Sequence, residues 1–280
     1  MCDRRKVLIA AVFFYFKVNA GTTKQLDMAP GAVDYNYNGC RKEATEKFIH
    51  SGLLNEELKA NKQFQEAWGK TCSKQIPGGT KEHTAALWAY ADGSKDFTDT
   101  FDNAVETLGG NVSTYEGRFH FKSLHFLLMD SMFLLHSQNT EKCKTLYALK
   151  GQEYMALNGS NVRFGKFVKV YSNDNELKMD DLDGLVLLKI SSCFFVNLGD
   201  NICREDQSTT LISPDEIFTV RAVDKISDET NDSEYTEIDL QHLKLGNADI
   251  CSSLSGSRTN VASQWIVMML VALSLFIFSF

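Results

Sequence analysis

The sequence predicts an α+β fold in which a mostly helical N-terminal half packs on a C-terminal β-sandwich. Three observations carry that expectation. Apolar residues recur at helical spacing over Arg41–Lys74, His83–Tyr90, Phe97–Leu108 and Tyr115–Leu135. After Cys143 the texture changes to short apolar or alternating runs separated by turn residues. Helices come first and strands second, with no repeat of fixed period, which separates the chain from folds built of strand–helix–strand units.

At the start, Arg4, Arg5 and Lys6 precede the apolar stretch Val7–Phe16 and the small-residue site Val18-Asn19-Ala20. Residues 1–20 are therefore expected to be a secretory signal peptide, cut after Ala20. In the first helical run Leu54, Leu58, Phe64, Ala67 and Trp68 share a face, and Pro77-Gly78-Gly79 ends it. The second run is followed by the third, which stops at Gly109-Gly110, and the fourth carries the stripe Leu124, Leu127, Leu128, Ser131, Met132 and Leu135. Strands are expected over Thr145–Leu149, Val162–Val170, Leu185–Val196, Thr209–Ile212, Ile217–Val223 and Tyr235–Leu243. The acidic stretches Ser172–Asp183 and Ser227–Glu234 read as exposed loops. At the end, small residues Ser252–Ser257 and the polar spacer Arg258–Gln264 precede the uncharged apolar tail Trp265–Phe280. This pattern reads as a GPI signal, with Ser255 the expected attachment point, Ser253 the next candidate and 256–280 the removed propeptide. A spanning helix wants about 20 apolar residues, more than the tail supplies. Residues 21–255 are left as one domain on the extracellular face of the plasma membrane.

The net charge of −7 argues against a nucleic-acid partner and against a polybasic membrane patch. Cys2 leaves with the signal, and Cys40, Cys72, Cys143, Cys193, Cys203 and Cys251 remain, an even set suited to disulfides in an oxidising compartment. Spacing alone leaves their pairing open. Asn111, Asn158 and Asn231 each head a glycosylation sequon. There is no phosphate-binding glycine loop, no nucleophile elbow and no HExxH, and His50, His83, His120, His125, His136 and His242 are scattered without ligand spacing. No metal is expected, and His120 and His125 read as capping or core residues.

Five segments taken together resemble the vertebrate GPI-linked ecto-mono-ADP-ribosyltransferases. They are Leu26–Pro30 with Asp34, Tyr37 and Gly39-Cys40; His83–Tyr90; Tyr115 with Phe119–Phe126; Val162–Phe167; and Thr210–Pro214 with Glu216–Phe218. They occur in family order from Leu26 to Cys251. The resemblance implies a helical half on a β-sandwich that holds NAD or NADP in a cleft, with arginine as acceptor. It also implies the pairings Cys40 with Cys251 and Cys143 with Cys193, and leaves Cys72 and Cys203 over.

Active relatives use an Arg to hold the NAD phosphates, a Ser-x-Ser to position the nicotinamide ribose and a Glu-x-Glu to stabilise the charge that develops as nicotinamide leaves. By the resemblance, the Arg position is Ala148, the Ser-x-Ser is Lys169-Val170-Tyr171, and the Glu-x-Glu is Gln207-Ser208-Thr209. All three elements are replaced. Glu205 lies two residues before Gln207, on the same side of an extended strand but about 7 Å away. Lys150 or Lys169 could supply a cation for phosphate, though without the bidentate fork of arginine. The expectation is a surface protein, impaired as a transferase, that acts by binding an unidentified protein partner. The alternative is an active transferase or NAD glycohydrolase using Glu205.

Overall fold

The computed structural model describes residues 24–69, 74–137, 142–174, 177, 182–203, 209–228, 233–248 and 250–255. A short strand, β1 (Lys24–Gln25), leads into an irregular stretch that Arg163 holds in place. The guanidinium Nε and Nη2 donate to the Met28 carbonyl at 2.9 and 2.7 Å, and Nη1 pairs with Asp34.

The run Arg41–Lys74, expected as one helix, is broken into α1 (Arg41–Thr45) with a π-helical turn Glu46–His50, α2 (Leu53–Ala60) and α3 (Lys62–Trp68). Gly52 interrupts it with a φ of 94°, a left-handed conformation that costs glycine little. Asn61 is extended and turns its side chain onto α3, accepting from the Phe64 N–H at 2.9 Å. Both residues compete locally with a continuous helix, and tertiary packing decides in their favour. Helices α4 (Lys81–Asp92) and α5 (Lys95–Thr107) follow the expected runs, extended by a few residues.

Tyr115–Leu135, also expected as one helix, divides into α6 (Val112–Arg118) and α7 (Lys122–His136). Side chains stabilise the break. Lys122 Nζ donates to the Glu116 and Phe119 carbonyls at 3.1 and 2.6 Å, while the Glu57 carboxylate accepts the backbone N–H groups of Lys122 and Ser123 at 2.8 and 3.0 Å. Groups left unpaired at a helix end and a helix start thus find partners. Phe119 and Phe121 are then free to enter the core, where they meet Phe64, Phe97, Phe101 and Phe167. His125 is fully buried in this cluster, within 3.1 Å of the Tyr37 hydroxyl and 2.8 Å of the Val33 carbonyl, whereas His120 is exposed.

The second half contains β2 (Lys144–Lys150), β3 (Tyr154–Met155), β4 (Asn161–Val162), β5 (Val168–Tyr171), β6 (Val186–Ser192), β7 (Phe195–Asn197), β8 (Thr209–Ile212), β9 (Glu216–Asp228) and β10 (Ser233–Leu245). Eight of these form a mixed sheet in the order β4-β9-β10-β6-β2-β5-β8-β7, and β3 pairs parallel with β1. Strands β2 and β5 share a single register pair, Tyr147 with Tyr171, so the sheet folds over at that point. Leu146, Ile190 and Ile238 from one part meet Val168, Ile212 and Phe195 from the other in a second apolar cluster, the core of the sandwich. Helices and sandwich meet through Val196, Leu198 and Leu211, which belong to the helical cluster.

Two runs expected as single strands are split. In Val162–Val170 the break is Gly165, at φ +66°, where a Cβ would lie 2.5 Å from Ala29 Cβ. In Leu185–Val196 it is the Ser192–Phe194 turn, tied to the buried Glu216 carboxylate by Ser192 Oγ at 2.6 Å and the Cys193 and Phe194 N–H groups at 2.9 and 3.2 Å. The second acidic loop is narrower than expected, because Ser227, Asp228, Ser233 and Glu234 pair within the hairpin; 229–232 lie outside the described residues. Disulfides join Cys40 to Cys251, at the start of α8 (Cys251–Ser255), and Cys143 to Cys193. Cys203 is also disulfide-bonded, and Cys72 lies outside the described residues. The signal and tail segments, 1–20 and 256–280, lie outside them as well.

Candidate functional site

Of the four described residues expected at the catalytic positions, Lys169, Tyr171 and Thr209 share one face of the sheet and Ala148 lies on the other. Along β2, alternation places Leu146 and Ala148 on the face that lines the sandwich core, where Ala148 is 2% exposed among Leu146, Val168 and Val170. Tyr147 points the other way. It stands in register with Tyr171, which stands in register with Thr209, so these three cross β2, β5 and β8 in a row on the opposite face. Lys169 shares that face, opposite Leu211 of the helical cluster. Ala148 is therefore separated from Lys169, Tyr171 and Thr209 by the thickness of the sheet. Gln207 and Glu205 lie outside the described residues.

Lys169 is engaged by the helical half. Its Nζ donates to the Ala91 carbonyl near the end of α4 at 3.1 Å and lies 5.1 Å from the centroid of the Tyr90 ring. Tyr90 in turn joins helices to sheet: its hydroxyl is 2.9 Å from the Phe167 carbonyl and 3.2 Å from Asp102 Oδ1. Burial pushes Asp102 up to about 6, against the pull of Lys166, Lys169 and Lys150. Lys166 pairs with Asp102 at 3.7 Å and Lys24 pairs with Glu106 at 2.5 Å. Four lysines, at 24, 150, 166 and 169, thus surround two carboxylates where β1, β2, β5 and α5 come together. Asp102 and Glu106 stand one turn apart on α5, but Lys24 and Lys166 come from two other segments, so no sequence pattern links the lysines to the carboxylates.

The predicted glycosylation residues Asn111 and Asn158 are both exposed. Asn111 also caps α6, accepting from the Thr114 N–H at 2.9 Å, while Asn231 lies outside the described residues. Ser255 ends α8, and Ser253 is half-buried within it. Among the described residues no cluster of His, Cys, Asp and Glu could hold a metal ion, and no helix is long and apolar enough to cross a membrane.

A helical layer on a folded-over mixed sheet is the ADP-ribosyltransferase fold. The crystal structure of a variant of the eukaryotic mono-ADP-ribosyltransferase ART2.2 in complex with NAD superposes with a TM-score of 0.63 at 26% identity, covering 80% of this chain and 96% of that one. The family model described as NAD:arginine ADP-ribosyltransferase matches residues 26–245, and the chain belongs to that family. The erythroblast NAD(P)(+)–arginine ADP-ribosyltransferase of Gallus gallus is 27% identical over 205 residues, 70% of this chain and 66% of that protein. The GPI-linked NAD(P)(+)–arginine ADP-ribosyltransferase 1 of Mus musculus is 34% identical over 160 residues, 51% of this chain and 48% of that protein. The chain thus spans about two thirds of the first relative and about half of the second.

Proposed function

We propose that this chain is a cell-surface member of its family that has lost ADP-ribosyl transfer and acts by binding, as a pseudoenzyme. The observation that carries the reading is the position of Ala148. A residue that would clamp the NAD phosphates is an uncharged methyl group inside an apolar cluster, on the far side of the sheet from Lys169, Tyr171 and Thr209. Neither Lys169, Tyr171 nor Thr209 offers a carboxylate to stabilise the cationic ribose as nicotinamide leaves, a contribution of about 3–4 kcal/mol for one such group. The GPI-linked relative supports display at the outer face of the plasma membrane through the tail after Ser255. The partner bound there is a protein.

A second reading keeps the enzyme alive. The surplus of lysines over carboxylates around Lys150, Lys166 and Lys169 is an observation that favours a bound phosphate, with Glu205 as the relocated acid. Incubating the protein with labelled NAD and an arginine acceptor separates the two readings. Absence of transfer and of NAD binding by calorimetry is the expected outcome; transfer that disappears in Glu205→Ala would overturn it. Release from cells by a phosphatidylinositol-specific phospholipase is expected, and retention would remove the GPI anchor from the proposal.

A further inference from the structure

A cavity of about 520 Å³ opens between β3 and the sheet face formed by β6, β10 and β9, within the size range of small-molecule sites. Its floor is apolar, made by Ala156, Leu185, Val186 and Ile238. At its mouth Met155 and Val223 are 48% and 38% exposed, large apolar side chains left in water beside an apolar hollow. The outer rim is polar and mainly acidic, with Asp224, Glu234 and Lys225, the last two 4.0 Å apart.

Strand register brings a lysine beside the cavity, next to its lining. Lys150, Val186, Thr236 and Lys225 stand opposite one another on β2, β6, β10 and β9. Val186, Thr236 and Lys225 line the cavity, so Lys150 is the fourth member of a row whose other three do. The Tyr154 ring, also part of the lining, lies 5.8 Å from Lys150 Nζ and 5.6 Å from Lys24 Nζ. The neighbouring lysines are already engaged: Lys24 by Glu106, Lys166 by Asp102 and Lys169 by the Ala91 carbonyl. Among the described residues Lys150 holds only the Tyr154 ring and has neither hydrogen bond nor ion pair. Burial, reinforced by repulsion from Lys166 and Lys24 and only partly offset by Asp102, pushes its pKa down to about 8. That is the response of an ammonium short of a counter-ion.

We propose that this cavity binds a free amphipathic monoanion, an aliphatic or aryl carboxylate whose apolar body lies on Leu185, Val186 and Ile238 and whose carboxylate pairs with Lys150. One surplus cation calls for one negative charge, and the acidic rim disfavours ligands that carry several. The site goes beyond the transferase reading and holds whether or not NAD is turned over.

The test is photolabelling of the full-length protein in cell membranes with a medium-chain carboxylic acid that carries an alkyl diazirine, beside the alcohol of the same chain. The acid is expected to label β3 and β9 around Met155 and Val223, with competition by unlabelled acid. Loss of the charge pair, by Lys150→Met or by use of the alcohol, is expected to lower labelling about tenfold. Val223→Trp fills the exposed mouth without touching the lysine and is expected to lower labelling too, which keeps the test decisive if the Lys150 variant fails to fold. Labelling elsewhere, equal labelling by acid and alcohol, or protection by NAD as strong as by the acid would overturn the proposal.

Discussion

The carboxylate of Glu57 accepts the backbone N–H of Ser123 at 3.0 Å and that of Lys122 at 2.8 Å, so a residue of α2 caps the start of α7 from 66 residues away. Burial raises the Glu57 pKa, and these same N–H groups pull it back down. Glu57→Ala leaves two N–H groups without their acceptor at the centre of the helical half. A loss of about 2 kcal/mol is expected in urea unfolding.

His125 makes the fold sensitive to acid. Burial lowers its pKa from 6.5 to about 3, so between those values the unfolded chain takes up a proton on this imidazole that the folded chain excludes. Its contribution to stability therefore falls as pH drops through that window, by about 1.4 kcal/mol per pH unit at most. Replacing His125 with Gln should flatten the pH dependence of the unfolding midpoint between pH 6 and 4; an unchanged slope would refute this.

Asp215 works in the opposite direction. Its carboxylate is buried, and burial raises its pKa from 3.8 to about 6 despite the pull of Arg163 and of the Gly246 N–H. The folded state binds this proton first, so its contribution to stability rises as pH falls from 6 towards 3.8. Asp215→Asn is expected to stabilise the protein at pH 7 by about 1 kcal/mol and to confer no gain at pH 4, measured by thermal unfolding at the two pH values.

An arginine placed at position 148, where the resemblance expects one, should not by itself confer NAD binding. Ala148→Arg puts a charge into the apolar cluster with Leu146 and Val170, and a destabilisation of about 3 kcal/mol or more is expected. A variant that folds as stably as the parent and binds NAD by calorimetry would show that position 148 can reach bound NAD.

The Cys40–Cys251 bond closes a loop of 211 residues. In the chain-entropy account a loop of that length contributes about 5 kcal/mol by restricting the unfolded state. The double Cys→Ser variant is expected to lose most of that, read as a lower denaturant midpoint with Cys143–Cys193 intact.

The class of fold was legible because two periods of hydrophobicity succeed one another along the chain, 3.6 before Cys143 and 2 after it. Helices α4 and α5 and strand β8 form close to where the expected runs place them. The breaks at Gly52, Asn61 and Phe119–Phe121 were not legible, since each depends on a distant partner or on local turn chemistry that competes with an unbroken apolar stripe. Strands β1 and β3, two residues each, have no period to read.

The candidate site divides in the same way. Sequence by itself supplied, through the resemblance, the expectation that Ala148, Lys169, Tyr171 and Thr209 stand where the family's transfer residues would, and it determined which cysteines and sequons were available. Only the tertiary structure decided that Ala148 faces the sandwich core while the other three face the opposite way, and that Lys150 meets Val186 and Tyr154 beside a cavity. Identity at a position is a property of the chain, but convergence depends on which strands pair and in what register. A shift of one residue in that register would exchange the two faces.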